Sequence, residues 1–319
     1  GTLAGCGNSS TQTTDKTASS DASSSSGDLV TVRDAVMTGQ LDQYATEIGL
    51  WQGIFEKYGI DLQTTEFVAG INTIDAVVNG TADIGMMADY AAVNRLGNTL
   101  DATNLQIFSQ ISGGQSALSG GLYVDPKYAD DPKSLDGSAG FMYQEGTVTY
   151  YYASKCIEYL GLDESKQNLI NTDSSQTRLA LIQKGGASAV YANGSEAKYI
   201  EEAGWVQVAT SQEIGIQTGS YFLSTDKYIS ENTDTLAKFL QAVDESTQYI
   251  NDHLDESAEY LADKLGLKAE DFKENWKNYS FEPGFSEEAT THLEDIEKWG
   301  FEHGSFPKDY NVRDFINTD

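Results

Sequence analysis

The residues best suited to contact a small molecule lie in short loops that combine glycine, tyrosine and acidic or amide side chains. Glycine lets the main chain approach a ligand closely, and a helix that begins after such a loop offers unpaired N–H donors. The candidate contact residues are Thr38, Gly39, Gln40, Gln43, Tyr44, Asn72, Met87, Asp89, Tyr90, Gln115, Glu145, Thr147, Tyr150, Asp173, Tyr191 and Asn193. This set indicates a site for a small polar solute.

The same loops carry the carboxylates Asp42, Asp89, Glu145 and Asp173, and no lysine or arginine. Carboxylates repel an anion, whereas a neutral heterocycle or an amine would find acceptors and aromatic rings. Acidic residues in the first turn of a helix also stabilise the helix dipole whatever the ligand is, so two interpretations stay open. The loops favour a neutral or cationic solute, with an oxyanion such as a sulfonate as the alternative.

The sequence lacks the motifs of the common hydrolytic, metal-dependent and nucleotide-binding sites. It contains no G-x-S-x-G, H-E-x-x-H or G-x-x-x-x-G-K-[ST] segment. His253, His292 and His303 fall in the helical C-terminal part, where we expect them to lie away from every candidate loop. We therefore expect no enzyme activity, no cofactor and no metal.

Composition describes an acidic globular protein. The 319 residues include 20 Lys and Arg against 49 Asp and Glu, a formal net charge of −29, and 39% of them are hydrophobic. This length allows two lobes. The negative charge disfavours binding to nucleic acid or anionic lipid headgroups. No apolar run approaches the roughly 18 residues of a membrane span, so we expect any membrane attachment to be through lipid.

The segment Leu3-Ala4-Gly5-Cys6 resembles a bacterial lipobox, in which the cysteine thiol accepts a diacylglycerol. A chance occurrence of cysteine after small residues is the alternative. A run rich in serine and threonine follows, and such a run cannot bury enough apolar surface to fold. Residues 1–28 are thus predicted to be a lipobox remnant and a disordered tether that holds the protein, outside the cytoplasm, on the outer face of the bacterial cell membrane.

Short β-rich runs alternate with amphipathic helices from Leu29 onward, which is typical of α/β layers around a parallel sheet. The pattern restarts after Gly120-Gly121 and becomes long and helical after Tyr221. The prediction is an α/β fold with lobe I at 29–120 plus 222–319 and lobe II at 121–221. Glycine at the two crossings, 119–123 and 218–222, suits a hinge, although ordinary turns are the alternative. Ligands in open α/β sheets bind at the carboxyl ends of the strands, where the candidate loops lie.

Several segments, in order along the chain, resemble the nitrate/sulfonate/taurine-type (NitT/TauT) solute-binding lipoproteins of ABC importers. The matching segments are WQGIFEKYGIDL at 51–62, DAVVNGTADIG at 75–85, LDG at 135–137, QEGT at 144–147, RLALIQKG at 178–185 and AVY at 189–191. Departures occur where Ala187-Ser188-Ala189 replaces the usual Asp-Ala pair and Tyr191-Ala192-Asn193 replaces Trp-Glu-Pro.

This resemblance implies a periplasmic-binding-protein-like type II fold, with two α/β lobes around a cleft. It also implies a monomer that captures a small solute by hinge closure and delivers it to the permease subunits and their ATPase. One branch of the family binds pyrimidine precursors of thiamine, which agrees with a neutral or cationic solute. A pyrimidine-precursor synthase or a sensor subunit with the same fold is the alternative of a different class.

Overall fold

The computed structural model describes residues 28–114 and 119–318. The predicted lipobox with Cys6 and its tether, and the candidate contact residue Gln115, lie outside the described residues. The other candidate contact residues lie within them.

The described chain forms ten strands and thirteen α-helices. The strands are β1 Val30–Met37, β2 Ile60–Phe67, β3 Ile84–Ala88, β4 Leu105–Gly114, β5 Gly121–Val124, β6 Phe141–Tyr143, β7 Leu169–Asn171, β8 Ala189–Ala192, β9 Val206–Thr210 and β10 Thr218–Thr225. The helices are α1 Leu41–Trp51, α2 Ile54–Lys57, α3 Gly70–Val78, α4 Asp89–Asn98, α5 Thr149–Tyr159, α6 Ser175–Lys184, α7 Gly194–Glu202, α8 Ser211–Ile214, α9 Asp226–Glu231, α10 Thr233–Asp252, α11 Leu254–Leu265, α12 Ala269–Trp276 and α13 Glu287–Glu302.

The strands form two five-stranded sheets of matching design. The first has the order β2-β1-β3-β10-β4, and the second has the order β7-β6-β8-β5-β9. Strand β10 runs antiparallel to both of its neighbours, and so does β5. Each sheet with its helices makes one lobe. The predicted α/β fold of two lobes, with the type II strand order, is therefore confirmed.

The chain passes from the first sheet to the second between Gly114 and Gly121, and it returns between Thr210 and Thr218. The sequence pattern predicted the return at 218–222, but β10 pairs with β4 from Thr218 onward and with β3 from Ser220 onward. Residues 218–221 thus lie in the first sheet. The reason is that the residues of β10 are mostly buried and pair with neighbouring strands over the whole length of the strand. The segment between Thr210 and Thr218 is therefore the crossing.

Helices cover both faces of the first sheet. On one face Phe222 lies between Phe108 and Phe239, with ring centroids 5.7 and 5.1 Å from its own. These three rings are buried, and each contributes about 1.5–3 kcal/mol by leaving water. Helices α1 and α10 cover this face. Helices α3, α4 and α13 cover the other face.

Among residues 28–114 and 119–318, none of the helices combines the length and the hydrophobicity that a membrane span requires. Within the same residues, histidine, cysteine and carboxylate side chains do not gather in groups of three that could hold a metal ion.

Candidate functional site

Three cavities meet at Thr218, the first residue of β10, where the chain has just returned to the first lobe. The largest measures about 430 Å³ and lies on the second lobe; we call it the tyrosine cavity. A second, of about 330 Å³, lies on the first lobe and is called the amide cavity. A third, of about 230 Å³, lies beside helix α13 and is called the acidic cavity. Thr218 lines all three.

The tyrosine cavity lies at the carboxyl ends of β6 and β8. Its lining residues are Met142, Tyr143, Gln144, Val148, Thr149, Tyr152, Arg178, Val190, Tyr191, Ala192, Asn193, Glu196 and Thr218. The rings of Tyr152 and Tyr191 lie 4.5 Å apart at their centroids. Burial raises the pKa of Tyr152 well above its usual value, and the charge of Asp89 raises this pKa further. Both rings therefore offer neutral, largely buried surfaces for an aromatic or aliphatic solute.

A charged pair lies in the wall of the tyrosine cavity. Ser174 caps α6, so Arg178 lies in the first turns of that helix, while Glu196 lies at the start of α7. The Nε of Arg178 bonds Oε1 of Glu196, and its Nη1 donates to Oγ1 of Thr172 at 3.2 Å. Burial lowers the pKa of Arg178, but its interactions with Glu196 and Tyr199 together outweigh that effect and leave the pKa raised. Arg178 therefore keeps its positive charge, and Glu196 is its ion-pair partner.

The loop before α5 is held by hydroxyl groups. The main-chain N–H of Gln144 donates to Oγ1 of Thr149 at 2.8 Å, and Oγ1 of Thr147 donates to the carbonyl of Gln144 at 2.8 Å. Gln144 and Thr149 line the tyrosine cavity, whereas Thr147 supports them from behind.

The amide cavity is polar, and its described lining residues include no charged side chain. Its lining residues are Met37, Gln40, Met86, Ala88, Thr218, Gly219, Ser220, Asn275, Asn278 and Tyr279. Tyr279 packs its ring edge-on to Tyr44 at 6.2 Å and donates to the carbonyl of Gly39 at 3.4 Å. Amide groups both donate and accept hydrogen bonds, so this cavity suits a neutral polar group.

Two buried carboxyl groups, one in β1 and one in the first turn of α1, flank the turn that contributes Met37 and Gln40 to the amide cavity. Asp34 and Asp42 are 1% and 0% exposed. Oδ2 of Asp42 accepts the N–H of Met37 at 3.2 Å, while neither oxygen of Asp34 has a hydrogen-bond partner among the described residues. Burial raises the pKa of Asp42 to about 7. Burial, followed by the charge of Asp42, raises the pKa of Asp34 well above its usual value.

The acidic cavity contains carboxylates and a histidine. Its lining residues are Gln110, Ile111, Gln217, Thr218, Gly219, Tyr221, Ser280, Glu282, Ser286, Glu288, Ala289 and His292. Nε2 of His292 lies 2.7 Å from Oδ2 of Asp89, and both side chains are buried. The expectation that His292 lies away from the candidate loops is thus wrong. Helix α13 packs on α4 and brings residues 203 positions apart into contact.

Helix α13 also contacts α5 of the second lobe, which the sequence pattern did not predict. The ring of Trp299 lies 5.0 Å from that of Tyr150 and 5.5 Å from that of Tyr151. Asp295 pairs with Lys155 at 2.8 Å and accepts the hydroxyl of Tyr151 at 2.5 Å. A second bond between the lobes joins Nε2 of His303 to Oε2 of Glu164 at 2.7 Å. We name these contacts between the two lobes the interlobe contact.

The third histidine, His253, is exposed.

Three of the sequence-predicted residues line the cavities: Gln40, Tyr191 and Asn193. In the loop before α1, Thr38 donates to Glu66, Gln43 accepts the N–H of Gly39, and Tyr44 packs on Phe272. Thr38 is exposed, whereas α1 begins immediately after the turn and buries Gln43 and Tyr44. These side chains hold the turn and the core instead of lining a cavity.

The remaining predicted residues lie elsewhere. Met87, Asp89 and Tyr90 are buried. The ring of Tyr150 faces Trp299. Tyr152 lines the cavity in the position that was expected for Tyr150. Asn72 is exposed, and it does not cap a helix because α3 begins earlier, at Gly70. Glu145 and Asp173 are also exposed.

Several cavity residues were missed because they come from helices, from the segment between α12 and α13, or from the first residue of β10. They are Arg178, Glu196, Thr149, Tyr152, Thr218, Asn275, Asn278, Tyr279, Glu282, Glu288 and His292. Arg178 had a sequence signal, since it opens the segment 178–185 that resembles the family. The polar residues after α12 had none, because their approach to the sheet edge depends on how the C-terminal helices pack.

Comparison with known proteins gives one family and many structures of similar fold. Residues 48–257 match the family described as NMT1/THI5 like. No curated protein matches the chain by sequence.

Among solved structures, the periplasmic aliphatic sulphonate binding protein SsuA of Escherichia coli is 15% identical with a TM-score of 0.74, covering 90% of this chain and 92% of its own. The periplasmic nitrate-binding protein NrtA of Synechocystis PCC 6803 is 15% identical with a TM-score of 0.60, and the match covers 91% of this chain and 87% of NrtA. The Candida albicans CA3427 product, with the generic periplasmic binding protein fold, is 17% identical with a TM-score of 0.61, and the match covers 91% of this chain and 97% of that protein.

The similarity to these structures lies in the fold, and the family match covers about two thirds of the chain. Both agree with the resemblance drawn from the ordered sequence segments. The chain therefore belongs to the NMT1/THI5-like family and has the fold of the periplasmic binding proteins.

Proposed function

We propose that this protein is the extracytoplasmic solute-binding component of an ABC importer, and that it binds a small neutral or cationic nitrogenous solute. The observation that carries the ligand class is the charge of the three cavities. Of their described lining residues, Arg178 alone is a lysine or arginine, and Glu196 already neutralises it. Glu282 and Glu288 add two further negative charges.

The tyrosine cavity supports an aromatic solute. Tyr152 and Tyr191 supply ring surfaces, and Glu196 can accept hydrogen bonds from an amino group attached to a ring. A 4-aminopyrimidine such as a thiamine precursor has both features. A volume of about 430 Å³ agrees with a ligand of this size.

The position of the cavities supports capture between lobes. Thr218 joins the tyrosine cavity of the second lobe to the amide cavity of the first, so a solute there would contact both lobes. Such a ligand shifts the population toward the closed form, which the permease would recognise. We propose that the protein acts as a monomer held to the membrane by a lipid on Cys6, and that it releases its solute unchanged. Conversion of a bound solute by the purified protein would overturn this view.

A sulfonate or another oxyanion is the second candidate. Arg178 faces the tyrosine cavity, and the N-terminus of α7 lies at Asn193 in the same wall. Both favour a negative group, provided that the anion displaces Glu196 from the guanidinium.

A thermal-shift screen of aminopyrimidines, alkylamines, sulfonates and nitrate tests the ligand class, because a ligand that binds the folded state raises the melting temperature. Two variants then separate the candidates by calorimetry: Glu196→Gln, which is nearly isosteric, and Arg178→Gln, which removes the guanidinium and its charge. For an amino-substituted solute, Glu196→Gln should weaken binding about 10- to 100-fold, the value of one charged hydrogen bond, and Arg178→Gln should have the smaller effect. The reverse order would favour the oxyanion.

A further inference from the structure

Ser211 lies where the two crossings between the lobes meet. It is fully buried, and it is the first residue of α8, in the crossing that returns to the first sheet. Its main-chain N–H donates to the carbonyl of Gly120 at 2.9 Å, and its Oγ donates to the same carbonyl at 3.1 Å. Gly120 belongs to the forward crossing, which leads to the second sheet at Gly121. Ser211 therefore ties one crossing to the other through its main chain and its side chain.

The same hydroxyl group is bonded to a residue in the wall of the tyrosine cavity. The hydroxyl of Tyr191 lies 2.8 Å from Oγ of Ser211. A serine hydroxyl has one hydrogen, and a carbonyl oxygen only accepts. Since the hydrogen of Ser211 goes to Gly120, the hydroxyl of Tyr191 donates to Oγ of Ser211. The bonds thus run in one direction, from Tyr191 through Ser211 to Gly120, and we call this series of bonds the relay.

The hydroxyl of Tyr191 keeps the hydrogen on which the relay depends. Burial raises the pKa of this hydroxyl above its usual value, although hydrogen bonds with Ser211 and Asn193 act in the opposite direction. The ring of Tyr191 borders the tyrosine cavity beside Tyr152, with the two ring centroids 4.5 Å apart. One end of the relay therefore lies at the cavity, and the other end lies in the crossings.

The forward crossing packs its main chain directly on the ends of two strands. A Cβ on Gly120 would lie 2.2 Å from the carbonyl oxygen of Ala192, and one on Gly121 would lie 2.0 Å from that of Ala209. Ala192 follows Tyr191 in β8, and Ala209 lies in β9. This close main-chain packing leaves little room for the crossing to move alone. The segments that the relay joins can change conformation only if its bonds break or shift together.

We propose that Ser211 is a positioning residue that couples the tyrosine cavity to the two crossings, because it holds the hydroxyl of Tyr191 and the carbonyl of Gly120 at the same time. The use of this coupling, closure around a solute, rests on the proposed function. A solute packed on the ring of Tyr191 restricts the motion of that ring and keeps its hydroxyl on Ser211. The crossings are then held in one conformation, which favours one arrangement of the lobes.

Amide hydrogen exchange, followed residue by residue by NMR, tests the relay in the ligand-free protein. The N–H of position 211 reports on the crossings because it donates to Gly120, and the N–H of Phe141 in β6, which donates to Asn168 at 2.8 Å, is the internal reference. Tyr191→Phe keeps the ring and removes the hydroxyl. Exchange at position 211 should become about 3- to 10-fold faster, the effect expected of one neutral hydrogen bond, while exchange at Phe141 should stay as in the parent.

Tyr123→Phe is the matched control. Tyr123 is a buried tyrosine of the same lobe, but its hydroxyl donates to Glu201 at 2.7 Å instead of to a crossing. This variant should exchange at position 211 as the parent does. Ser211→Ala completes a double-mutant cycle. Adding Tyr191→Phe to it should have no further effect at position 211, because the tyrosine hydroxyl then has no partner in the relay.

The coupling to a solute is tested with 4-aminopyrimidine as the probe. A saturating concentration of the probe should slow exchange at position 211 in the parent but not in Tyr191→Phe. Probe binding that leaves this exchange unchanged in the parent would overturn the coupling.

The relay itself is overturned if Tyr191→Phe exchanges at position 211 as the parent does, or if its effect persists in the Ser211→Ala background. Equal acceleration at Phe141 would also overturn it, since that result shows a general loss of stability in the second lobe. If 4-aminopyrimidine does not bind the parent, the proposed solute class fails, and the ligand-free measurements still decide the relay.

Discussion

Replacing Asp42 with asparagine should stabilise the protein at about pH 8 and leave its stability at about pH 4 almost unchanged. Asp42 is fully buried in the first turn of α1, and burial raises its pKa from 3.8 to about 7. Asparagine has nearly the same shape and can still accept the N–H of Met37 through its amide oxygen. The substitution therefore removes the ionisation while keeping the packing and that hydrogen bond.

The magnitude follows from proton linkage. Between pH 3.8 and about 7 the folded protein holds a proton that the unfolded chain has released, so stability falls as the pH rises. A difference of about three pKa units is worth about 4 kcal/mol, since each unit corresponds to about 1.4 kcal/mol. The full cost is present above about pH 7. It is absent below the unfolded value of 3.8, where both states are protonated.

Urea unfolding of the parent and Asp42→Asn across this pH range measures the effect as a difference, in which the titrating groups other than the neighbouring Asp34 cancel. The variant should gain up to about 4 kcal/mol at about pH 8, a large part of the 5–15 kcal/mol typical of a folded domain. Asp101→Asn, which removes a charge at an exposed turn, is the control and should show no such gain. A difference that does not change with pH, or a variant that is less stable than the parent at about pH 8, would refute the reasoning.

Three further outcomes are expected. Asp295→Ala removes the partner of both Lys155 and Tyr151 in the interlobe contact, so the lobes should separate more often. The radius of gyration from small-angle X-ray scattering should therefore increase, and an unchanged value would count against a role of Asp295 in holding the lobes together. Gly120→Ala places a Cβ against a main-chain carbonyl of β8 at a residue whose φ is +89°, and it should cost about 1–3 kcal/mol by thermal unfolding, whereas parent-like stability would show that the crossing relaxes. Burial holds the pKa of the Cys156 thiol far above its usual value, so peptide mass spectrometry should find iodoacetamide labelling of that residue slow in the native protein and fast in urea; equal rates would contradict its burial.

The fold could be predicted because its signals are local. Alternating β-rich runs and amphipathic helices indicate α/β layers, and the restart after Gly120-Gly121 indicates a second lobe. The ordered segments between Trp51 and Tyr191 predicted the family, which the match over residues 48–257 confirms. The same reasoning placed the return crossing too late. A buried β run has the same sequence pattern whether it is the last strand of one lobe or the first strand of the next, so the pattern did not assign the run from Thr218 to the first sheet.

The candidate site could be predicted only in part. Loops at the carboxyl ends of strands are visible in sequence, and Gln40, Tyr191 and Asn193 do line cavities there. Residues in the same loops that the adjacent helices bury, such as Gln43 and Asp89, have the same polar character in sequence. Exposure depends on what packs over a loop, and local pattern does not carry that information.

The sequence by itself determined the layered α/β architecture, the negative surface and the absence of basic residues from the candidate loops. Tertiary structure alone decided which charges face the cavities. It brought Arg178 beside Glu196 from two different helices, and it paired Asp89 with His292 across 203 positions of chain. The physical reason is the separation along the chain over which each effect acts. Backbone periodicity acts within one element, whereas hydrogen bonds and desolvation depend on neighbours that only the packed core brings together.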